Sequence, residues 1–564
     1  MERASTFIPM SRVSVKYRGE TLEVPETTTI YNIVQARESC CRGWEAPIAA
    51  IVDRRLTSLD ANVYDGADIM PVYAWDAPGE QVYRRSLTFL LQAARKSLFP
   101  KLRLIVGQSI AGGFYYQWLG DPPLTDENVA RLEQAMQSLV AQDLPIRMER
   151  HGTPKAYEKF REAGMEDRIL LLRTWWHETV KLVFLGDHFD FSHGPMAPAT
   201  GGLQHFALRM FPPGFILQFA EGKKGGPSSR KLRVPKQLFD VYVETYEWNK
   251  IIGVSSIGGL NDAVLTRDVD ELIRISEGLH EKKIARIADM AVSERSARVI
   301  LIAGPSSSGK TTFSKRLGVQ LRVAGKTPAT ISIDDYYVDR EKTPRDEKGE
   351  LDFESINAVD LPLLNQHLSE LLDGKEIRCP RYSFEQGKRL PEARWQPMRL
   401  DPGGVIIMEG IHGLNDKLTA SVPPKEKFKI YVSALSQLGL DDANRISTTD
   451  VRLLRRLVRD RLYRGYSATE TISKWPSVKR GEARNIFPWQ GEADIMFNST
   501  LPYELSVLKV YAEKFLLEVP KTSSEFLEAY RLIKFLDLLV PVFPDRVPHN
   551  SIIREFIGGS FFHY

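Results

Sequence analysis

The run Gly304-Pro305-Ser306-Ser307-Ser308-Gly309-Lys310-Thr311-Thr312 follows an apolar stretch, 299–303, and opens an amphipathic one that closes at Gly325. A buried strand, a GxxxxGK[ST] turn and a helix in that order make a phosphate-binding loop. A chance glycine-rich turn would lack the strand before it and the helix after it. The two glycines let backbone approach phosphate without a Cβ clash. Loop N–H groups and the helix N-terminus attract the anion. Lys310 neutralises the β- and γ-phosphates, and Thr311 offers its hydroxyl to Mg²⁺. The cofactor implied is ATP or GTP with Mg²⁺, cradled by Gly304, Ser306, Ser307, Ser308, Gly309, Lys310, Thr311 and Thr312.

From 298 onward, short apolar strands alternate with helices, which predicts a parallel sheet covered on both faces. The second strand ends in Ser332-Ile333-Asp334-Asp335-Tyr336-Tyr337, and a third, 405–408, ends in Glu409-Gly410. In an open parallel sheet, ligands sit beyond the carboxyl ends of the strands. A carboxylate at Asp334 or Asp335 could take a proton from an acceptor hydroxyl and, with Glu409, flank the metal. An isolated pair of aspartates would more simply be a turn or a cap. Arg452, Arg455, Arg456, Arg459 and Arg464 recur at helical spacing. Two of them are expected to cover the triphosphate, and the others to form a solvated face. Ser467-Ala468-Thr469-Glu470 has the pattern of a capping box.

The 564 residues are too many for one core, so the fold class expected is multidomain α/β and α+β. The expected divisions are a small α+β unit at 1–78, a second mixed domain at 79–235, a helical connector at 236–295, the phosphate-loop domain at 296–510 and a helical extension at 511–564. The stretch 221–231 is glycine-rich but has no strand leading into a GK[ST] ending, so it reads as a surface loop. A net charge of +4 neither demands nor excludes a nucleic-acid partner. Cys40, Cys41 and Cys379 make no disulfide framework and no zinc spacing, which points to a reducing compartment. No stretch suits a bilayer or a signal peptide, so a cytoplasmic protein is expected.

The ordered motifs over roughly 298–500 resemble the uridine–cytidine kinase family, with phosphoribulokinase a more distant relative. The resemblance implies Asp334 as general base and Tyr337 as a wall of the nucleoside pocket. Phe353-Glu354 would hold the ribose hydroxyls. The string Pro380-Arg381-Tyr382-Ser383-Phe384 would set Tyr382 near the base. Glu409 corresponds to the family's strand-end acid. Arg456, Arg459-Asp460 and Arg464-Gly465 match its lid, with Arg459 and Arg464 acting on the transferred phosphate. Two positions depart from the pattern: Gly387 stands where the family reads the base with histidine, and Tyr466 where the lid carries a further arginine. Glu354 replaces the commoner aspartate and lengthens the ribose arm.

Residues 11–74 look like a TGS domain, and 82–235 are similar to the editing domain of threonyl-tRNA synthetase, through Ser97-Leu-Phe-Pro100, Gly113-Phe-Tyr-Tyr116 and His193-Gly-Pro195. That family's chemistry needs an HxxxH and a CxxxH pair. Here the four positions are Arg85, Phe89, Ser192 and Met196, which supply neither base nor zinc ligand. His188, His193 and His205 fit no metal spacing and read as loop histidines. Two function classes follow. One is a nucleoside kinase, taking uridine or cytidine and expected to be a homo-oligomer, with a non-editing front half that binds RNA or a small ligand. The other is an RNA- or ribosome-associated NTPase switch. A third option keeps the kinase chemistry and changes the acceptor, as in phosphoribulokinase. The acceptor-side motifs favour the first, because a switch needs no nucleoside pocket.

Overall fold

The computed structural model describes residues 11–38, 43–110, 112–220, 222, 225, 236–266, 268–294, 297–345, 349, 351–383, 386–436 and 438–563. Most of the glycine-rich stretch 221–231 lies outside them, as does Phe384 of the tyrosine motif.

The first unit pairs β1 (Arg12–Tyr17) with β2 (Glu20–Pro25) and adds α1 (Ile30–Arg37), β3 (Ala49–Val52), β4 (Arg55–Thr57) and β5 (Asp68–Val72). Its sheet order is β2-β1-β5-β3-β4. Helix α1 starts at Thr29, whose hydroxyl accepts from Asn32 N while the Asn32 side chain accepts from Thr29 N. Val15, Ile30, Val34 and Ile69 fill the core.

The second unit comprises α2 (Ala77–Leu98), β6 (Arg103–Ile110), β7 (Gly113–Leu119), α3 (Asp126–Ala141), β8 (Arg147–Gly152), α4 (Thr153–Glu162), α5 (Glu166–Arg173), β9 (Thr179–Leu185), β10 (His188–Phe191), β11 (Phe206–Phe211) and β12 (Gly214–Phe219). It has two antiparallel sheets, β10-β9-β8 and β11-β12-β7-β6. The apolar stripe of α2, including Leu87, Leu90 and Leu91, is buried in the unit's core. Thr125 caps α3 through Asn128 N.

Helices α6 (Lys236–Ile252), α7 (Ile257–Thr266) and α8 (Val269–Asp289) come next. Helix α8 meets the phosphate-loop domain through Glu277 and Glu281, which hold Arg316 at 3.2 and 2.6 Å.

The third unit runs β13 (Val299–Ala303), α9 (Lys310–Val323), β14 (Pro328–Ser332), α10 (Leu361–Leu372), β15 (Ile377–Cys379), β16 (Tyr382–Ser383), β17 (Lys388–Arg389), β18 (Gln396–Met398), β19 (Val405–Glu409), β20 (Lys427–Ser433), α11 (Thr448–Tyr463), α12 (Ala468–Asn485) and β21 (Ile495–Asn498). Its main sheet, β14-β19-β13-β20-β21, is wholly parallel. Every residue of β13 is buried, as a strand covered on both faces requires. Helices α13 (Glu504–Leu517), α14 (Phe526–Leu536) and α15 (Arg554–Ile557) follow. The boundary expected after 510 falls inside α13, because that helix continues its buried face from Leu505 to Leu516 without a break.

Candidate active site

The phosphate loop is shaped by close backbone approach. A Cβ on Gly304 would stand 2.0 Å from the Val432 carbonyl oxygen, so only glycine lets the loop leave β13 beside β20. Gly309 caps α9 at φ +85°, a conformation that L side chains rarely adopt. The Ser307 and Ser308 hydroxyls are buried and have no hydrogen-bond partner within the protein. Buried orphan donors in a loop that also carries Lys310 are a fit for phosphate oxygens. The expected cradle, Gly304, Ser306, Ser307, Ser308, Gly309, Lys310, Thr311 and Thr312, is therefore one continuous loop and helix start.

Sheet register places the acids. Glu409 lies opposite Ile302 of β13 and Ser332 of β14, so the ends of three strands share one level. Thr311 Oγ1 donates to Glu409 Oε1 at 3.2 Å. Asp334 sits on a short 3₁₀ turn, Ile333–Tyr336, just past β14. Burial raises its carboxyl, Lys310 opposes the rise, and Asp335, Arg464 and Arg459 act more weakly. Burial also lifts Glu409 to about 7 against the pull of Lys310, with Asp334 and Glu555 adding to the rise. Glu354 is lifted to about 7 by burial, then by Glu482, while Arg456 and Lys310 oppose it. The charge of Lys310 thus acts on Asp334, Glu354 and Glu409 alike. Thr311, Asp334 and Glu409 could share a hard cation such as Mg²⁺ with phosphate oxygens and water. Among the described residues no group of three or more histidines, cysteines or acids is already set to hold a metal alone.

On the acceptor side, Tyr337 and Tyr382 are buried and their rings meet at 5.8 Å and 72°. Burial, then Asp334 and Glu354, push the Tyr337 phenol up, which puts this wall against the acids. Asp335 faces elsewhere: it accepts from Tyr382 N at 3.1 Å and pairs with Arg381. Asp334 and Asp335 therefore differ in role, one at the loop and one bracing the tyrosine strand. Phe353 is half-buried beside Glu354. Helix α12 passes so close that a Cβ on Gly481 would meet Glu354 Cγ at 2.4 Å. Gly387, which stands at the position of the family's base-reading histidine, has φ +67°, and a Cβ there would meet Arg340 Nε at 2.5 Å.

The arginines of α11 divide differently from the expected split between two working residues and a solvated face. Arg452 and Arg455 are buried, not solvated. Arg452 donates to Ser306 O at 2.9 Å and pairs with Glu482. Arg455 pairs with Glu504 at 2.5 Å and donates to Ser499 O. A buried guanidinium needs such partners, and each found an acid from a later helix. Arg456 Nη1 donates to Ser306 Oγ at 3.0 Å. Arg456, Arg459 and Arg464 all pair with one acid, Asp460, at 3.1, 3.2 and 3.8 Å. Its position four residues from Arg456 and Arg464 is a spacing visible in the sequence. Two further acids had no sequence signal. Glu482 accepts from Ser306 N at 2.9 Å, and Glu555 from Thr312 N at 3.0 Å.

The front half reaches this site through the loop between β20 and α11. Asp441 meets Arg168 at 3.3 Å and His193 Nε2 at 2.6 Å, and Asp442 is gripped by Arg103 at 2.7 and 3.0 Å. His188 is buried within β10 and is not the loop histidine expected, whereas His193 does lie in the loop after β10, its ring covered by Asp441 of the other domain. Both sit where strand pairing and Asp441 cover them. At the former ligand positions, Arg85 donates to Pro195 O at 2.7 Å, Phe89 packs on the His188 ring, and Ser192 donates to Gly194 O. Met196 is buried.

Residues 299–505 match the model of the Phosphoribulokinase / Uridine kinase family, so a domain of that family occupies this part of the chain. The N-terminal half is similar to threonine–tRNA ligases. That of Methylococcus capsulatus is 34% identical over 165 residues, 29% of this chain and 26% of the ligase. That of Alkalilimnicola ehrlichii is 31% identical over 193 residues, 34% of this chain and 30% of the ligase. The chain thus spans less than a third of either ligase. A solved structure of a possible uridine kinase from Bacillus stearothermophilus aligns at 17% identity with a TM-score of 0.27, covering 38% of this chain and 98% of its own.

Proposed function

We propose that the C-terminal domain is a P-loop kinase that moves the γ-phosphate of ATP or GTP to the 5′-hydroxyl of uridine or cytidine. The observation that carries this reading is the contact of Thr311 with Glu409 at the strand-end level where β14 delivers Asp334, together with the paired, buried rings of Tyr337 and Tyr382. A hydrolytic switch needs no such acceptor wall.

Bound ATP or GTP with Mg²⁺ supplies the phosphoryl group and a metal counter-charge. Asp334 accepts the acceptor's hydroxyl proton, which makes the oxygen a better nucleophile. Its carboxyl, raised by burial, keeps enough basicity to do so. Lys310, Arg459 and Arg464 balance charge that develops on the transferred group. Glu354 and Arg456 hold the acceptor's sugar side, and Tyr337 and Tyr382 enclose it and exclude water. Thr311 and Glu409 would hold the Mg²⁺.

The front half serves as a non-hydrolysing regulator. Its former ligand positions carry a guanidinium, a phenyl ring, a hydroxyl and a thioether, and its Arg168 and Arg103 hold the loop that leads into α11. It is expected to release no threonine or serine from charged tRNA.

The kinase reading is tested by ADP formation from ATP and Mg²⁺ with uridine, cytidine, other nucleosides, ribulose 5-phosphate, pantothenate or no acceptor. Stimulation by uridine or cytidine supports it. Hydrolysis indifferent to every acceptor but raised by tRNA or ribosomes would replace it with a switch.

A further inference from the structure

The first N–H groups of a helix have no partner within it, and in a phosphate loop they are the donors an anion needs. In α9 the Phe313 N–H already closes on Gly309 O at 3.0 Å. The Thr312 N–H is not left to solvent. Glu555 Oε2 accepts from it at 3.0 Å and from the Thr312 hydroxyl at 2.9 Å. Glu555 lies 243 residues further along the chain, on α15.

The segment carrying Glu555 is firmly seated. Ile552, Ile553 and Phe556 are fully buried. Ile552 covers the glycine of the loop: a Cβ on Gly309 would meet its Cγ2 at 2.5 Å. Phe556 lies under the Arg455 guanidinium at 5.1 Å. Arg554 ties the segment by donating to the carbonyls of Pro548, Gly558, Pro544 and Val547. This anchoring holds the backbone, while the Glu555 carboxylate reaches out of it toward the loop and raises the neighbouring Glu409.

We propose that Glu555 is an internal competitor for the phosphate cradle: its carboxylate holds Thr312 as a phosphate group would, and a nucleotide must displace it to bind. The proposal rests on the nucleotide reading of the loop and not on the identity of the acceptor. It gives the C-terminal segment a regulatory task. Nucleotide affinity is lowered by the fraction of molecules in which the cradle is already filled, and anything that pulls α15 away raises it. Displacement needs only rotation of the Glu555 side chain, so the buried anchor can stay in place.

The full chain, its Glu555→Gln form and its Glu555→Ala form would be titrated with Mg·ADP by calorimetry, and melted without nucleotide. The expected result has opposite signs: nucleotide affinity rises about tenfold while the melting temperature falls, because a charged acceptor has left Thr312. A residue with only a structural role would lower both. The isosteric Glu555→Gln keeps the packing, so the affinity comparison stands even where Glu555→Ala fails to fold. Affinity unchanged or weakened in Glu555→Gln overturns the proposal. Absence of Mg·ADP binding in every form overturns it together with the nucleotide reading. Tighter nucleotide binding without phosphorylation of any acceptor leaves it standing and removes the kinase.

Discussion

Thr311 Oγ1 donates to Glu409 Oε1 at 3.2 Å, so the hydroxyl of the phosphate loop and the acid of β19, two groups that would hold a divalent cation, already touch. That contact carries a pH dependence. Burial lifts Glu409 and Glu354 to about 7, from an ordinary glutamate value near 4.5. Between those values the folded protein holds protons the unfolded chain has released. Stability without ligand therefore falls as pH rises through that window. A metal needs the ionised carboxylate, so loading Mg·ADP is expected to release protons below pH of about 7 and to tighten as pH rises through it. Calorimetry in buffers of different ionisation heat measures the proton count. Glu409→Gln is expected to shrink it, and a count of zero in the parent would separate Glu409 from the metal.

Asp334 is the acid nearest in role to the transferred proton. Asp334→Asn keeps the size of the side chain and loses the base. Turnover is expected to fall by about two orders of magnitude or more, a far larger loss than any weakening of Mg·ADP binding. Initial rates and a nucleotide titration on the same preparation check both halves. Near-normal turnover would remove Asp334 from the base role and turn attention to Glu354.

The phosphate loop, the strand-end acids and the parallel sheet were legible in the sequence, because each rests on local pattern: an apolar strand, fixed glycines, then a helix. The capping box at Ser467 was legible for the same reason, and Ser467 accepts from Glu470 N as its spacing predicts. Contacts between distant segments were not legible. Nothing local in the sequence marks Glu482 or Glu555 as partners of the loop, since each reaches it from 176 and 243 residues away. The arginines of α11 show the limit of periodicity. Helical spacing groups them on faces, but only the tertiary position of Glu504 and Glu482 decides that Arg455 and Arg452 are buried. The partner of the loop residue His193 was not legible for the same reason, because Asp441 comes from another domain.

Two arginines of one helix should therefore fail in different ways. Arg455→Met leaves Glu504 buried without its cation, and is expected to cost about 3–5 kcal/mol of stability. Arg459→Ala leaves Asp460 still paired with Arg456 and Arg464. It is expected to melt near the parent and to lose about 10²–10³ in turnover, the usual cost of one donor to developing charge. Urea unfolding and initial rates on both variants separate the two effects. Equal loss of stability in both would mean that Arg459, too, is structural.

The front half offers the most distant coupling to the site. Arg168 donates to Asp190 at 2.9 and 2.7 Å and also meets Asp167 and Asp441. One guanidinium thus serves three acids, of which Asp441 belongs to the loop ahead of α11. Burial works against this charge, but the acids hold the guanidinium strongly protonated. Arg168→Met removes the cation and leaves several buried carboxylates with fewer partners. A loss of about 3–5 kcal/mol is expected, read as an earlier urea transition. Asp441→Asn is the milder probe, because Asn can still accept from Ala443 N and Asn444 N, as Asp441 does at 2.8 Å each. If the loop passes the state of the front half to Arg456 and Arg459, Asp441→Asn should change KM for nucleotide as well as stability. A change in stability with kinetics untouched would reduce the contact to a clamp between domains.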